Sequence, residues 1–364
     1  MADSPEPDKR PWASSAATGF GLTGLCIAAE RGWIPRQQAR DRVLTTVRFY
    51  AEESFHMHGW FYHFVHGSTD ERRPNSEISS IDTALLLAGM LTARQYFRKD
   101  AAIGKLVMDI YRRIDFYWML NGDPNFLAMS WRPEKGFSPS RWRRHNELGI
   151  LSLLAIASPG KPLPPETWYA WERPMFTYGR YTYVNGAPTL FTHQYPHAWI
   201  DFRNRKEKHP PHIDWFQNSI TATYAHKQFC LDLAAEFPGC YSENIWGITA
   251  SDTRKGYRAW GGPPRRGDID GSVVPCAAAG SLMFAPEICL PALLEMRKRF
   301  GDRIYKRYGF VDAFHPVDGW TNPDVIGIDV GITLLSAENL RTGNVWKWFH
   351  ANPEIQKAMN TLFR

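Results

Sequence analysis

The feature that most constrains this fold is a succession of helix-length apolar patterns with almost no strand signal between them. GFGLTGLCIAAERG (19–32) carries apolar residues at helical spacing and stops on glycine, and RQQARDRVLTTVRFYAEES (36–54) follows Ile34-Pro35. SSIDTALLLAGMLTARQYF (79–97) opens on a serine cap with Asp82 in its first turn. DAAIGKLVMDIYRRIDFYWML (100–120) is amphipathic, and the run after Glu147 stays apolar until Ser-Pro-Gly. Further helices are predicted over 164–174, 214–237, 276–284, 286–300 and 330–343, and in VWKWFH and PEIQKAMNTLF. Strand signals are confined to GWFYHFV (59–65), YVNGAP (183–188) and RIYKRYGF (303–310). Some connections are short Gly/Pro stops, while others are long and rich in Trp, His, Asp and Asn. Antiparallel helix pairs with the elaborate loops on one side predict an all-α fold, a closed α/α toroid with minor β-hairpins. Function is expected in the long loops. Residues 17–364 read as a single domain, and the acidic, proline-rich 1–16 as a disordered or extended tail.

Composition narrows the partners. Hydrophobic residues at 44% and charged residues at 22% supply a large core and argue against disorder. Aromatic residues at 14% exceed what packing requires, and rings on a cleft wall stack on flat apolar ligand faces such as those of sugars. The net charge of +6 is scattered, with no Lys/Arg stripe, so no nucleic-acid partner is expected. The N-terminal segment has no apolar h-region and is not read as a signal peptide. No apolar run reaches the ~18 residues needed to span a membrane. Of the five cysteines, Cys26, Cys276 and Cys289 sit in apolar surroundings and read as core; Cys230 and Cys240 are the two that could approach each other.

Carboxylates recur beside aromatic residues in the long loops. Asp82 follows PNSEISSI, Glu147 follows WRPEKGFSPSRW, and Asp201 follows FTHQYPHAWI. Glu243 and Asp252 lie in YSENIWGITASD, and Asp312, Asp324 and Asp329 lie in YGFVDAFHPVDGWTNPDVIGID. Desolvation raises a carboxyl pKa and keeps a general acid protonated near neutrality, and glycoside hydrolysis needs two carboxyls in different environments. Glu147 has two readings at this point: a first-turn acid favoured by the helix dipole, or a general acid. Asn146 before it is a good N-cap. His193 and His197 fit hydrogen bonding to a polyhydroxylated ligand. The histidines of HMHGWFYHFVH lack an HExxH pattern or a partner acid at ligand spacing, so no metal is expected.

SSIDTALLLAGMLTARQYF, the HNEL helix with SPGKPLP, LFTHQYPHAWIDFR, YSENIWGITASD, IDGSVVPCAAAGSLMF and NPDVIGIDVGITLLSAENLRTGN together resemble the bacterial glycoamylase-like domain of endo-β-1,2-glucanases, glycoside hydrolase family 144. The resemblance runs from about Ala17 to Asn352. It implies an (α/α)6 toroid and hydrolysis of linear β-1,2-glucan to short oligosaccharides, with inversion and no cofactor. Relatives in the wider clan include exo-acting and cyclic-glucan-processing enzymes, so an exo-acting or transglycosylating enzyme is the alternative, and a non-catalytic glucan-binding protein a further one. It implies Glu147 as proton donor, Asp329 on the base side with Asp324 and Asp312 as alternatives, and Asp82 as a further cleft carboxylate. The expected substrate-binding set is Trp142, His193, Tyr195, His197, Asp201, Glu243, Trp246, Asp252, Asp312, Trp320 and Asp324, with Trp142, Tyr195, Trp246 and Trp320 facing one cleft. Members are typically periplasmic or secreted and carry a helix before the ATGFGL block, so the resemblance implies that the first ring helix is missing here or that the chain starts late.

Overall fold

The structure, a computed structural model, describes residues 12–364. Its helices are α1 (Ser15–Glu30), α2 (Arg36–Arg48), α3 (Ser80–Tyr96), α4 (Ala101–Arg113), α5 (Phe116–Leu120), α6 (Leu148–Ile156) and α7 (Glu166–Ala170) in the first half. The second half adds α8 (Tyr195–Trp199), α9 (Trp215–Asp232), α10 (Pro275–Ala279), α11 (Pro286–Phe300), α12 (Gly327–Arg341), α13 (Asn344–His350) and α14 (Pro353–Leu362). Strands among the described residues are two to four residues long and pair only in small antiparallel sheets.

Local chemistry sets most boundaries. Ser14 Oγ accepts from Ala17 N at 3.2 Å to start α1, and Asp100 takes the Ala102 and Ile103 amides at 3.0 and 3.1 Å to start α4. The predicted 100–120 helix breaks at Ile114, whose backbone turns extended; Asp115 then caps α5 through Trp118 N at 3.0 Å. The 164–174 helix shortens to α7, because Trp171 leaves helical geometry ahead of Pro174. The 183–188 strand shifts: Met175–Tyr178 pairs with Tyr181–Val184, and the Asn-Gly pair lies beyond it. The expected 303–310 strand is instead a short hairpin, in which 305–306 pairs with 309–310. Residues 1–11 of the expected tail lie outside the described residues. The remainder of that segment is structured: Trp12–Ser14 pairs antiparallel with Phe64–His66, and α1 begins at Ser15.

The packing order of the long helices positions everything else. α1 lies between α3 and α12, α6 joins α3 to α8, and α8 packs on α12. Apart from the ends of α1, helices α1 and α3 are buried on nearly all sides, as expected of central helices rather than surface ones. Their contact rests on glycine at a backbone-to-backbone approach. A Cβ on Gly19 would stand 2.1 Å from the Leu85 carbonyl oxygen, and one on Gly89 2.0 Å from that of Gly19. Most of the aromatic surplus enters the core, where Trp60, Trp168, Trp199, Trp246 and Trp260 are fully buried. The approach of Cys230 and Cys240 considered above does not occur as a bond. All five cysteines are free and buried, with Cys230 Sγ 3.6 Å from His226 Nε2 and Cys240 Sγ 3.6 Å from His315 Nε2.

Candidate active site

Non-helical segments meet over the starts of α3 and α12 in a cleft of about 890 Å³. Its walls carry Trp12, His63, Phe64 and Arg73 from the N-terminal hairpins, Asp82 from α3, and Asp252, Arg254 and Tyr257 from the Ser251–Arg258 hairpin. Trp320, Asn322, Asp324 and Asp329 complete it from the segment leading into α12. Two guanidinium–ring pairs stand on these walls, Arg73 5.1 Å from the Phe64 centroid and Arg254 5.5 Å from that of Trp320. A second groove, of about 690 Å³, is lined by Arg36, Arg40, Lys99 and Asp100. Of its two acids, Asp100 pairs with Arg40 Nε at 2.6 Å and Glu30 is exposed, so it offers surface charge rather than desolvated carboxyls.

Glu147 occupies the residue just before α6 but does not cap it. Asn146 Oδ1 takes the Leu148 amide at 2.9 Å, which leaves the Glu147 carboxyl with no capping bond. That geometry removes the main support for a purely helix-terminal role. Burial, and then the negative charge of Asp82, push Glu147 up to about 8, while His63 opposes the shift. Asp82 is held at both oxygens: the Ser79 hydroxyl donates to Oδ2, and His63 Nε2 stands 3.3 Å from Oδ1.

The second carboxyl group of interest is a pair. Asp312 is buried, and its Oδ2 accepts from Asp252 N at 2.8 Å and Asn322 Nδ2 at 2.9 Å. Burial pushes Asp312 up, and the Asp252 amide, the Asn322 side chain and the Asp329 side chain oppose the shift. Two phenols border the carboxyls. Burial, and then Asp329, push the Tyr195 hydroxyl up, and Glu147 adds to the effect. Tyr257 is 64% exposed as a residue, yet its hydroxyl is pushed up by burial and by the charges of Glu147, Asp329, Asp312 and Asp82. Both phenols therefore stay protonated donors at neutral pH.

The structure thus brings Asp82, Asp252, Trp320, Asp324 and Asp329 onto one cleft, with Glu147, Asp312 and Tyr195 against them. Other expected residues lie elsewhere, and four rings do not share a wall. Trp142 is buried behind α3 with its indole N–H on Ser80 Oγ at 2.8 Å, and Trp246 is folded into the core beside His226. His193 and His197 are buried too, each pushed down to about 3 chiefly by desolvation. His193 sits on His145, and His197 Nε2 is 3.0 Å from Ser219 Oγ. Both rings therefore act as neutral core groups. Asp201 pairs with Arg203 at 2.8 Å, and its amide donates to His350; Glu243 pairs with Lys227 at the surface. The HMHGWFYHFVH histidines separate, His58 stacking on Trp118, His66 meeting Trp12 edge-on, and only His63 of the four lining the cleft. Among the described residues no group of three or more His, Cys, Asp or Glu is placed to hold a metal ion. Sequence reasoning missed His63, Glu77, Trp12 and Tyr257. The Lys255-Gly256 turn signal was the one clue to the hairpin that carries Tyr257.

The raised proton affinity of Glu147 has a consequence for stability. A carboxyl held at about 8 in the folded chain, against an ordinary 4.5, contributes stability that is full below the ordinary value and is lost as pH rises through 8. The melting temperature of the wild type is therefore expected to fall between about pH 5 and 8.5 relative to Glu147→Gln, whose amide has nothing to ionise. Parallel thermal scans of both proteins across that range check it; a difference that does not change with pH contradicts it.

The cleft thus gathers buried acids beside aromatic rings in a helical domain. Residues 139–353 match the glycoamylase family, and the chain belongs to that family. It is 26% identical to an exo β-1,2-glucooligosaccharide sophorohydrolase (non-reducing end) of Parabacteroides distasonis, over 98% of this chain and 54% of that protein. The chain thus spans about half the length of the curated relative it matches. Among solved structures it resembles an endo-β-1,2-glucanase from Chitinophaga pinensis in complex with sophorotriose and glucose, at 27% identity and a TM-score of 0.90. That match covers 99% of this chain and 90% of the other. A β-1,2-glucanase from Parabacteroides distasonis matches at 25% identity and a TM-score of 0.89, over 96% of this chain and 55% of that one.

Proposed function

We propose that this chain is an inverting glycoside hydrolase of the (α/α)6 toroid type that cleaves linear β-1,2-glucan, with Glu147 as the proton donor. The observation that carries the reading is the asymmetry of the cleft carboxyls. Burial pushes Glu147 up to about 8, whereas Asp312, though also pushed up by burial, accepts two N–H bonds that favour its ionised form. An inverting hydrolysis needs this division: an acid to protonate the leaving glycosidic oxygen, and an ionised carboxylate to take a proton from the attacking water. Asp329, at the start of α12 and open to the cleft, is assigned the base side, with Asp312 setting its charge. Trp320, Trp12, Phe64 and Tyr257 offer ring faces to glucose units, and Asp252 and Asp324 acceptors for hydroxyls. A protein that only bound glucan would need the rings but would gain nothing from burying these acids, since each costs desolvation.

The relatives divide between endo- and exo-acting enzymes, and product size distinguishes the two modes. Linear β-1,2-glucan is incubated with the protein beside β-1,3- and β-1,4-glucans. A falling ladder of oligosaccharides from the β-1,2-linked polymer alone is expected. Release of disaccharide only would establish the exo mode, and cleavage of another glucan in its place would remove the linkage assignment.

A further inference from the structure

Beside Glu147 runs a chain of four side chains that the proposed reaction does not by itself require. Arg132 Nη2 stands 3.2 Å from Glu77 Oε2, Glu77 Oε1 stands 3.1 Å from His63 Nδ1, and His63 Nε2 stands 3.3 Å from Asp82 Oδ1. The backbone locks the middle of this chain: His63 N donates to Glu77 O at 2.8 Å, and Ser15 N donates to His63 O at 3.0 Å. Of the four side chains, His63 and Asp82 line the cleft, and Glu77 and Arg132 stand behind them.

The donor count decides the charges. A neutral imidazole has one N–H, and here each ring nitrogen faces a carboxylate oxygen, which only accepts when ionised. The imidazolium satisfies both neighbours; the neutral ring leaves one oxygen facing a lone pair. Glu77 is held ionised: burial alone would raise it, but the bond to His63, the charge of His63 and the bond from Arg132 together lower it to about 2. The Ser79 hydroxyl donates to the other oxygen of Asp82, so each of its oxygens has a polar neighbour.

We propose that His63, clamped between Glu77 and Asp82, is a positioning residue of the cleft that fixes Asp82 as an oriented anion beside Glu147 and thereby tunes when Glu147 gives up its proton. This rests on the reading of Glu147 as proton donor and adds to it a half-buried control outside the reacting pair. Two opposite influences meet at Glu147, the anion of Asp82 raising its proton affinity and the cation of His63 lowering it. The charged and titratable groups facing the clamp are Glu77, Arg132, Asp82 and Glu147, with Arg73 over the adjoining Phe64 and Tyr257 across the cleft. Asp82 accordingly acts as a fixed charge rather than as the base.

Glu77→Gln tests this without touching a group that lines the cleft. In the free protein, the His63 imidazole, followed by its ring-proton resonance, is expected to titrate at a pH lower than wild type by about one unit or more, the scale of one lost charge-assisted bond. In the enzyme assay kcat is expected to fall by about tenfold, with the alkaline limb of kcat/KM moving to higher pH because the cation opposing Glu147 is lost. Arg132→Gln, which keeps Glu77, should move both readouts in the same direction by less. A ring titration that is the same in Glu77→Gln as in wild type overturns the clamp. A lower kcat with an unmoved alkaline limb overturns the coupling to Glu147, since a merely structural loss would look like that. If the wild type cuts no β-1,2-glucan, the functional reading fails, while the ring titration still decides the clamp.

Discussion

Glu147→Gln is expected to lower kcat on linear β-1,2-glucan by about 10²- to 10⁴-fold while leaving KM close to wild type. The amide keeps the shape and a hydrogen-bonding group but has no proton to deliver to the leaving oxygen. Substrate contacts along the cleft, at Trp320, Tyr257 and Trp12, are untouched by the change, so binding should persist. Asn146, not Glu147, caps α6, and folding should therefore be intact at mildly acidic pH. Steady-state kinetics on both proteins check this. A variant that hydrolyses glucan normally would return Glu147 to the status of a helix-start acid.

The second large effect separates the two members of the acid pair. Asp329→Asn is expected to cost about 10²-fold or more in kcat, because it removes the carboxylate assigned to activate water. Asp312→Asn should cost about tenfold or less. Its amide oxygen can still accept from Asp252 N and Asn322 Nδ2, and its amide nitrogen can donate to Asp329 and hold that carboxylate ionised. The acid limb of the pH profile should accordingly move to lower pH in Asp312→Asn, since the neighbouring carboxyl whose charge disfavours a second anion is gone. A reversed order of losses would transfer the base role to Asp312.

Much of the helical frame was legible because periodicity and caps are local. Ser79 before α3, Asp214 before α9 and the Gly-Pro punctuation act on their own neighbours, so pattern and structure coincide at α3, α9 and α11. Carboxylates next to aromatic and apolar runs picked out the acids of the cleft, but the same pattern also picked Asp201 and Glu243, which pair with Arg203 and Lys227 elsewhere. Which polar residues reach the cleft was not legible. His193 and His197 sit in a polar-looking block, but α8 and its preceding turn carry that block into the core, where His145 and Ser219 receive the rings. Trp246 follows the same course. His63 looked like one strand residue among four histidines; its partners Glu77 and Asp82 lie on another stretch, and Arg132, which pairs with Glu77, on a third. Such long-range pairing leaves no periodic trace in one sequence.

The account turns on acid-assisted, inverting cleavage of a β-1,2 linkage in this cleft. Its most direct test is to follow the anomeric proton signals while the wild type and Glu147→Gln act on linear β-1,2-glucan. The account predicts that the new reducing ends appear first as the α-anomer and equilibrate later, with the signal almost absent in the variant. New ends that appear first as the β-anomer, or that form equally fast in Glu147→Gln, would contradict it.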